Sequence, residues 1–287
     1  MPEPVPAPAV TLVVFSCVGR AHLLGRTLET FRRQCPFRFT EVIYAHDGEM
    51  DPAAPAAVGA HRLVQSVQRA GYVRSIMQAL AIVRTPYLFW LEDDWEFTHP
   101  VDLADLLAAL DRHPDWLQIR LSKVSPLTPE ELAAPLDVAG LHRSGSAFSA
   151  NPHLARTELL RTGFAAYAAS PRTTANTFES FFESWVAQAG VTCAVLAPPG
   201  PEPSVAHTGY LESTGRQWHA AVTLTGAPTE YSSGMRRLGE NPPLWRRITL
   251  GLKLVAAAGR IAAKALVRPS AYDLGFRFIA LTKQKDE

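Results

Sequence analysis

Cysteine is scarce in this chain, and charge of either sign is nearly balanced. The 287 residues hold three cysteines, Cys17, Cys35 and Cys193, far apart and odd in number. No Cys-x-x-Cys pair occurs, which argues against a zinc site of that type, and the thiols read as buried and free in a reducing compartment. There is also no run of about 18 uncharged apolar residues, so no membrane-spanning helix is expected. The first nine residues lack a basic start and an apolar core. With proline at positions 2, 4, 6 and 8 they read as a disordered lead-in and not as a signal peptide. Internal repeats are absent, and a cytoplasmic protein is the expectation.

What is present is enough apolar material for a sizeable core: 47% of residues are hydrophobic and 19% charged. The net charge of +1 hides an asymmetry. Residues 236–287 carry eleven Lys and Arg against four acids, a surplus of seven, which leaves the preceding body at −6. The acidic body argues against general nucleic-acid binding, and the basic tail suits an anionic surface. From Leu244 to Arg268 there is no acid, and Arg246, Lys253, Arg260 and Lys264 fall on one helical face. Such a basic amphipathic helix can lie on an anionic membrane, or can pack on the body and expose its charges. The expected division is a lead-in (1–9), one domain (10–235) and a helical tail (236–287).

Within the body, apolar β-branched runs alternate with helical spacing. Val10 to Ser16 reads as a strand, Cys17-Val18-Gly19-Arg20 as a turn and Ala21 to Gln34 as a helix. Glu41 to Ala45 is a second strand ending in His46-Asp47-Gly48. His61 to Val64 is a short third, Gly71 to Arg84 a helix, and Tyr87 to Leu91 a strand that runs into Glu92-Asp93-Asp94. This alternation predicts a mainly parallel sheet flanked by helices. Carboxyl ends of parallel strands share one edge, where open α/β sheets bind ligands. Oxygen ligands there suit Mg2+ or Mn2+, which often holds a diphosphate. Asp47 has a plainer use in an Asp-Gly turn.

Further on, Asp102 to Leu110 reads as a helix and Trp116 to Ser122 as a strand alternating apolar and polar residues. Pro126 to Ala139 reads as an irregular excursion, Gly145 to Asn151 as a strand and His153 to Thr162 as a helix. A helix opens near Phe178 and ends at Gly190, with Phe178, Phe181, Phe182 and Trp185 as its apolar stripe and Glu179 and Glu183 on one face. Val191 to Leu196 is the next strand, and Val205 to Gly209 contains His207.

The order of strand, turn, helix, strand ending in Asp-Gly, then helix and strand ending in three acids resembles family 2 glycosyltransferases of the GT-A fold. The resemblance spans about residues 10 to 210. It implies an α/β GT-A-like nucleotide-sugar-binding domain with a mixed, mainly parallel sheet, followed here by the helical tail. It implies that Asp47 contacts the nucleoside and that Glu92-Asp93-Asp94 stands in the Asp-x-Asp motif, with Asp94 the direct ligand of Mn2+ or Mg2+. The first acid departs from the family pattern. Ser16, Val18 and Arg20 at the end of the first strand become donor contacts. Met77 stands where the family often has Asn or Arg, with Arg74 a turn earlier as substitute. Asn151 becomes an acceptor-side contact or a helix cap. Glu179 becomes the catalytic base, with Glu183 in reserve, although Ser180 replaces the family's second acid; both glutamates can also be a solvated helix face. His207 becomes a third metal ligand, and Arg216 a diphosphate partner on a closing loop.

The implied activity is metal-dependent transfer of a sugar from a nucleoside diphosphate to a hydroxyl on a glycan, lipid or small molecule, with inversion. Two alternatives remain at this stage: another metal-dependent enzyme on such a sheet, a phosphohydrolase or nucleotidyltransferase, and a sugar-nucleotide-binding protein without activity.

Overall fold

The computed structural model describes residues 8–68, 70–145, 148–170, 178–208, 220–222 and 228–230. Arg216 and its loop, Ser180's side chain and the basic tail lie outside the described residues.

The elements run, in chain order, β1 (Val10–Cys17), α1 (Ala21–Gln34), β2 (Glu41–Asp47), α2 (Ala54–Val58), β3 (Arg62–Ser66), α3 (Tyr72–Ile82), β4 (Tyr87–Glu92), β5 (Trp95–Phe97), α4 (Leu103–Arg112) and β6 (Trp116–Leu121). They continue with α5 (Pro129–Leu132), β7 (Leu141–Arg143), β8 (His153–Arg156), α6 (Thr157–Ala169), α7 (Phe178–Ala189), β9 (Thr192–Leu196), β10 (Val205–His207), β11 (Ala220–Val222) and β12 (Pro228–Glu230). The main sheet has eight strands in the order β3-β2-β1-β4-β8-β6-β9-β7. β3, β2, β1 and β4 pair in parallel, β8 runs antiparallel between β4 and β6, and β6 pairs parallel with β9. Two antiparallel pairings restore direction, so β6 and β9 point the same way as β4. The carboxyl ends of β3, β2, β1, β4, β6 and β9 therefore share one edge, and β8 begins at it.

Alternation along β1 builds two cores. Leu12 and Val14 pack with Leu24, Leu28 and Phe31 of α1 and with α4, whereas Val13 and Phe15 pack with Ile76, Ala79 and Leu80 of α3, α6 and α7. β4 is buried on both faces along Tyr87 to Leu91, as its apolar run predicts. Each such side chain contributes about 1.5–3 kcal/mol of transfer free energy. α4 starts where Asp102 accepts the amides of Ala104 and Asp105, a side-chain cap that sets the boundary one residue later than the apolar pattern.

Three segments differ from the sequence reading. β6 is buried along its whole length, Gln118 and Arg120 included, because helices and loops cover both faces of its end of the sheet. Of the expected strand at Gly145–Asn151, residues 148–151 are irregular, and the first four residues of the expected helix from His153 form β8. The gap between β4 and β6 decides this: Trp90 and Arg120 both pair with His153, and the helix starts only at Thr157, whose amide donates to Pro86 O. The excursion at 126–139 contains α5, closed by a capping box in which Thr128 and Glu131 satisfy each other's amides.

α6 and α7 approach closely at Gly163. A Cβ there would lie 2.4 Å from Cε1 of Phe182 and 3.1 Å from Cζ3 of Trp185, so only hydrogen fits. This contact fixes how α7 lies on α6 and hence where its first turn falls. Among the described residues no helix is long and apolar enough to cross a membrane.

Candidate active site

The shared edge gathers the acids. In the register of the sheet Cys17 pairs with Asp47, and Phe15 pairs with both Ala45 and Glu92, so the ends of β1, β2 and β4 lie side by side. β4 stops because Glu92 is followed by the turn Asp93-Asp94. The chain then enters β5, which pairs antiparallel with β10 and sets His207 opposite Trp95. The imidazole stacks on the Trp95 ring at 4.5 Å, and its Nε2 lies 3.0 Å from Asp94 Oδ2. Thr208 locks the turn through its amide and hydroxyl, both donating to Asp94 O at 2.9 and 3.0 Å.

Arg20, directly after the turn at Gly19 (φ 85°), reaches across this motif. Its Nε lies 2.9 Å from Asp93 Oδ1, and its Nη2 pairs with Asp94 Oδ2. Ser16 Oγ donates to the other Asp93 oxygen at 2.5 Å. Glu92 is held differently, by Tyr72 Oη at one oxygen and Trp95 Nε1 at the other, 3.2 Å away. Glu92 therefore spends both oxygens on protein donors, and Asp93 has a hydrogen bond at one oxygen and an ion pair at the other. Asp94 keeps Oδ1 buried without a hydrogen-bond partner, which few buried carboxylate oxygens do.

The three acids also separate electrostatically. Burial, reinforced by Asp94, pushes Glu92 up to about 8 against the Tyr72 and Trp95 hydrogen bonds. Burial raises Asp93 to about 7 despite Arg20. Burial works on Asp94 in the same direction, but the hydrogen bond to His207 and the charge of Arg20 outweigh it and hold its pKa below the ordinary value. Asp94 is thus the acid of the motif that stays ionised most readily.

Asp47 accepts the amides of Ala70 at 2.8 Å and Gly71 at 3.1 Å, and so ties β2 to the start of α3. Gly71 takes φ 89° there, a conformation that favours glycine. The next residue, Tyr72, has Phe15, Trp90 and Phe178 around its ring, which links the acidic motif to α7. In the first turn of α7, Glu179 Oε1 accepts the Ala150 amide at 3.1 Å, and its charge is felt by both Tyr72 and Glu92. Asn151 is buried two residues before β8 with Nδ2 unpartnered, and its carbonyl accepts from His153 Nδ1 at 2.7 Å. It caps no helix, since the next element is a strand.

Asp94 and His207 thus meet directly, and Glu179 and Asn151 approach the same edge from the far side of β4. Val18 donates its amide to Asp47 O, and with Ser16, Tyr44, His46 and Met50 it lines a hollow between the ends of β1 and β2. Arg74 and Glu183 stand exposed on their helices. Tyr72 and Trp95, which hold Glu92, were not singled out from sequence. An aromatic residue directly after a helix-opening glycine, and one directly after the acids, were the available signals.

A sheet in this order, with acids at the end of β4 and a small β5–β10 pair beside them, is the GT-A fold that glycosyltransferases use. Residues 12–131 match the family model described as glycosyl transferase family 2. No curated protein matches the chain in sequence. Among solved structures, the crystal structure of GalNAc-T7 with UDP, GalNAc and Mn2+ aligns with a TM-score of 0.51 at 14% identity, over 70% of this chain and 44% of that one. That of S. aureus TarS aligns with a TM-score of 0.47 at 13% identity, over 68% and 36%. The chain thus spans less than half the length of either protein.

Proposed function

We propose that the protein transfers a glycosyl group from a nucleoside diphosphate sugar to a hydroxyl acceptor, with a divalent cation at Asp94 and His207. The observation that carries this reading is the meeting of Asp94 and His207, 113 residues apart, with a buried carboxylate oxygen left open beside them. A carboxylate and an imidazole fit Mn2+ and also accommodate Mg2+. Bound there, the cation would neutralise charge on the departing diphosphate. The GalNAc-T7 structure, described as holding UDP, GalNAc and Mn2+, supports the same chemistry on this fold.

Each residue then has one task. Asp47 meets the nucleoside from its place between β2 and α3, with Ser16 and Val18 at the neighbouring strand end. Glu179 uses Oε1 to hold the Ala150 amide and Oε2 to take the proton from the acceptor hydroxyl as that oxygen attacks the anomeric carbon. Attack opposite the leaving diphosphate inverts the anomeric centre. Asn151, with its amide nitrogen unpartnered at the same edge, donates to the acceptor. Arg74 in the first turn of α3 supplies further positive charge for the donor, as the sequence reading also expects of Arg216.

The test is a thermal-shift panel of nucleoside diphosphate sugars with and without Mn2+ or Mg2+. A ligand that binds the native state alone raises Tm by mass action. The expected result is a shift that needs both metal and nucleotide, followed by release of nucleoside diphosphate when acceptor is added. Release of phosphate or pyrophosphate instead would indicate hydrolase or nucleotidyltransferase chemistry.

A further inference from the structure

The oxygen of Asp94 that faces His207 is the one that Arg20 also holds. A cation between Asp94 and His207 would therefore meet a guanidinium already in place. Arg20 is not a surface charge resting there by chance: its side chain is 13% exposed, and those of Asp93 and Asp94 are 2% and 7%. Two buried carboxylates without a cation would repel each other at the end of β4, and Arg20 neutralises one of the two charges. A divalent cation would turn the cluster net positive, and the diphosphate of a donor would bring it back to the single net negative charge it carries without either.

We propose that Arg20 is a placeholder for the cation, which moves from Asp94 to the donor's diphosphate when the cation binds. The inference rests on the donor and cation reading above and adds an order of events to it. Arg20 also keeps an ion-pair contact to Asp93, with Nε 2.9 Å from Oδ1 but not hydrogen-bonded to it, and this contact serves as a pivot. The planar fork that now spans two carboxylates suits two phosphate oxygens equally well. Its backbone opens α1, where its carbonyl accepts the amides of Leu23 and Leu24, so the pivot is anchored to the helix.

A residue that only braced β1 against β4 would weaken every property of the site when removed. A placeholder makes two properties move in opposite directions. The experiment uses the full chain as wild type, R20M and R20K. Calorimetry measures MnCl2 alone, and then UDP, GDP and dTDP in saturating Mn2+, with Tm recorded throughout. In R20M, Mn2+ alone should bind about tenfold more tightly, because a competing charge contact is gone, and the nucleoside diphosphate about tenfold more weakly. Mn2+ should also raise the Tm of R20M by more than that of wild type, since it fills the role of the missing guanidinium. R20K, which keeps the charge without the fork, should fall between the two and carries the test if R20M does not fold. Mn2+ binding that is unchanged or weaker in the variants overturns the proposal while leaving the functional reading intact. Wild-type protein that binds none of the three nucleotides in a Mn2+-dependent way removes the functional reading itself.

Discussion

At the ends of β1, β2 and β4 polar side chains hold one another: Ser16 and Arg20 on Asp93, Arg20 and His207 on Asp94, Tyr72 and Trp95 on Glu92. Around β8 the buried polar groups are poorly served. Asn151 Nδ2, His153 Nε2 and both side-chain atoms of Gln118 lack partners. What surrounds them is aromatic: Phe148, Phe164, Phe178 and Phe182 pack ring against ring at 4.6–6.2 Å. The first region is organised by charge and the second by shape. Substitutions that change charge should dominate at the ends of β1, β2 and β4, and substitutions that change volume around β8, with Glu179, the proposed base, as the exception.

The largest expected effect tests that exception. Glu179→Gln keeps the Ala150 contact but cannot take a proton, so turnover should fall by about 10²–10⁴ with donor affinity retained. Steady-state rates with separately measured donor Kd check this, and unchanged turnover removes Glu179 from its role. Next comes Asp94→Asn, which withdraws the partner of both Arg20 and His207. Loss of one member of a buried charge pair costs about 2–5 kcal/mol, so Mn2+-dependent nucleotide affinity should drop by at least about 30-fold by calorimetry.

His153 probes the shape-ordered region through pH. Complete burial pushes its pKa down to about 4, only partly offset by the Asn151 carbonyl. Between an unfolded pKa near 6.5 and the folded value, the unfolded chain binds more protons, so stability falls as pH falls across that window. The loss approaches about 3 kcal/mol by pH 4. Denaturant midpoints of wild type and His153→Gln, compared from pH 7 to 4, should show a flatter acid slope in the variant; parallel slopes would mean that His153 is not held neutral.

Gly163→Ala should cost about 1–3 kcal/mol through overpacking against Phe182, less up to about 1 kcal/mol gained in helix propensity. Because the contact sets the position of α7, turnover should fall along with Tm. The smallest effect belongs to Glu183→Gln. This residue is exposed one turn beyond Glu179, and both stability and turnover should stay within about 0.5 kcal/mol and about twofold of wild type. A strong loss there would exchange the roles of the two glutamates.

The sheet's first half was legible in the chain because buried parallel strands read as continuous apolar runs, and each ends in a polar turn. Val10 to Ser16, Glu41 to Ala45 and Tyr87 to Leu91 needed no tertiary information. β8 was not legible: His153-Leu154-Ala155-Arg156 has no strand pattern strong enough to oppose the helix that follows, and the open place between β4 and β6 decides its pairing. β6 misled through Gln118 and Arg120, whose polar types suggested an outward face where both are buried. β5 and β10, three residues each, carry too little pattern to be seen, yet they bring His207 to Asp94.

By itself the sequence determined the strand ends, the acids on them and the helix that carries Glu179, because hydrophobic periodicity and turn residues act over a few positions. Only the tertiary structure decided which acids are spent on protein partners, which oxygen of Asp94 stays open and that Arg20 and His207 share the other. The pairings on Asp94 join residues 74 and 113 positions apart, and local pattern carries no information about which distant charge will fill a given space.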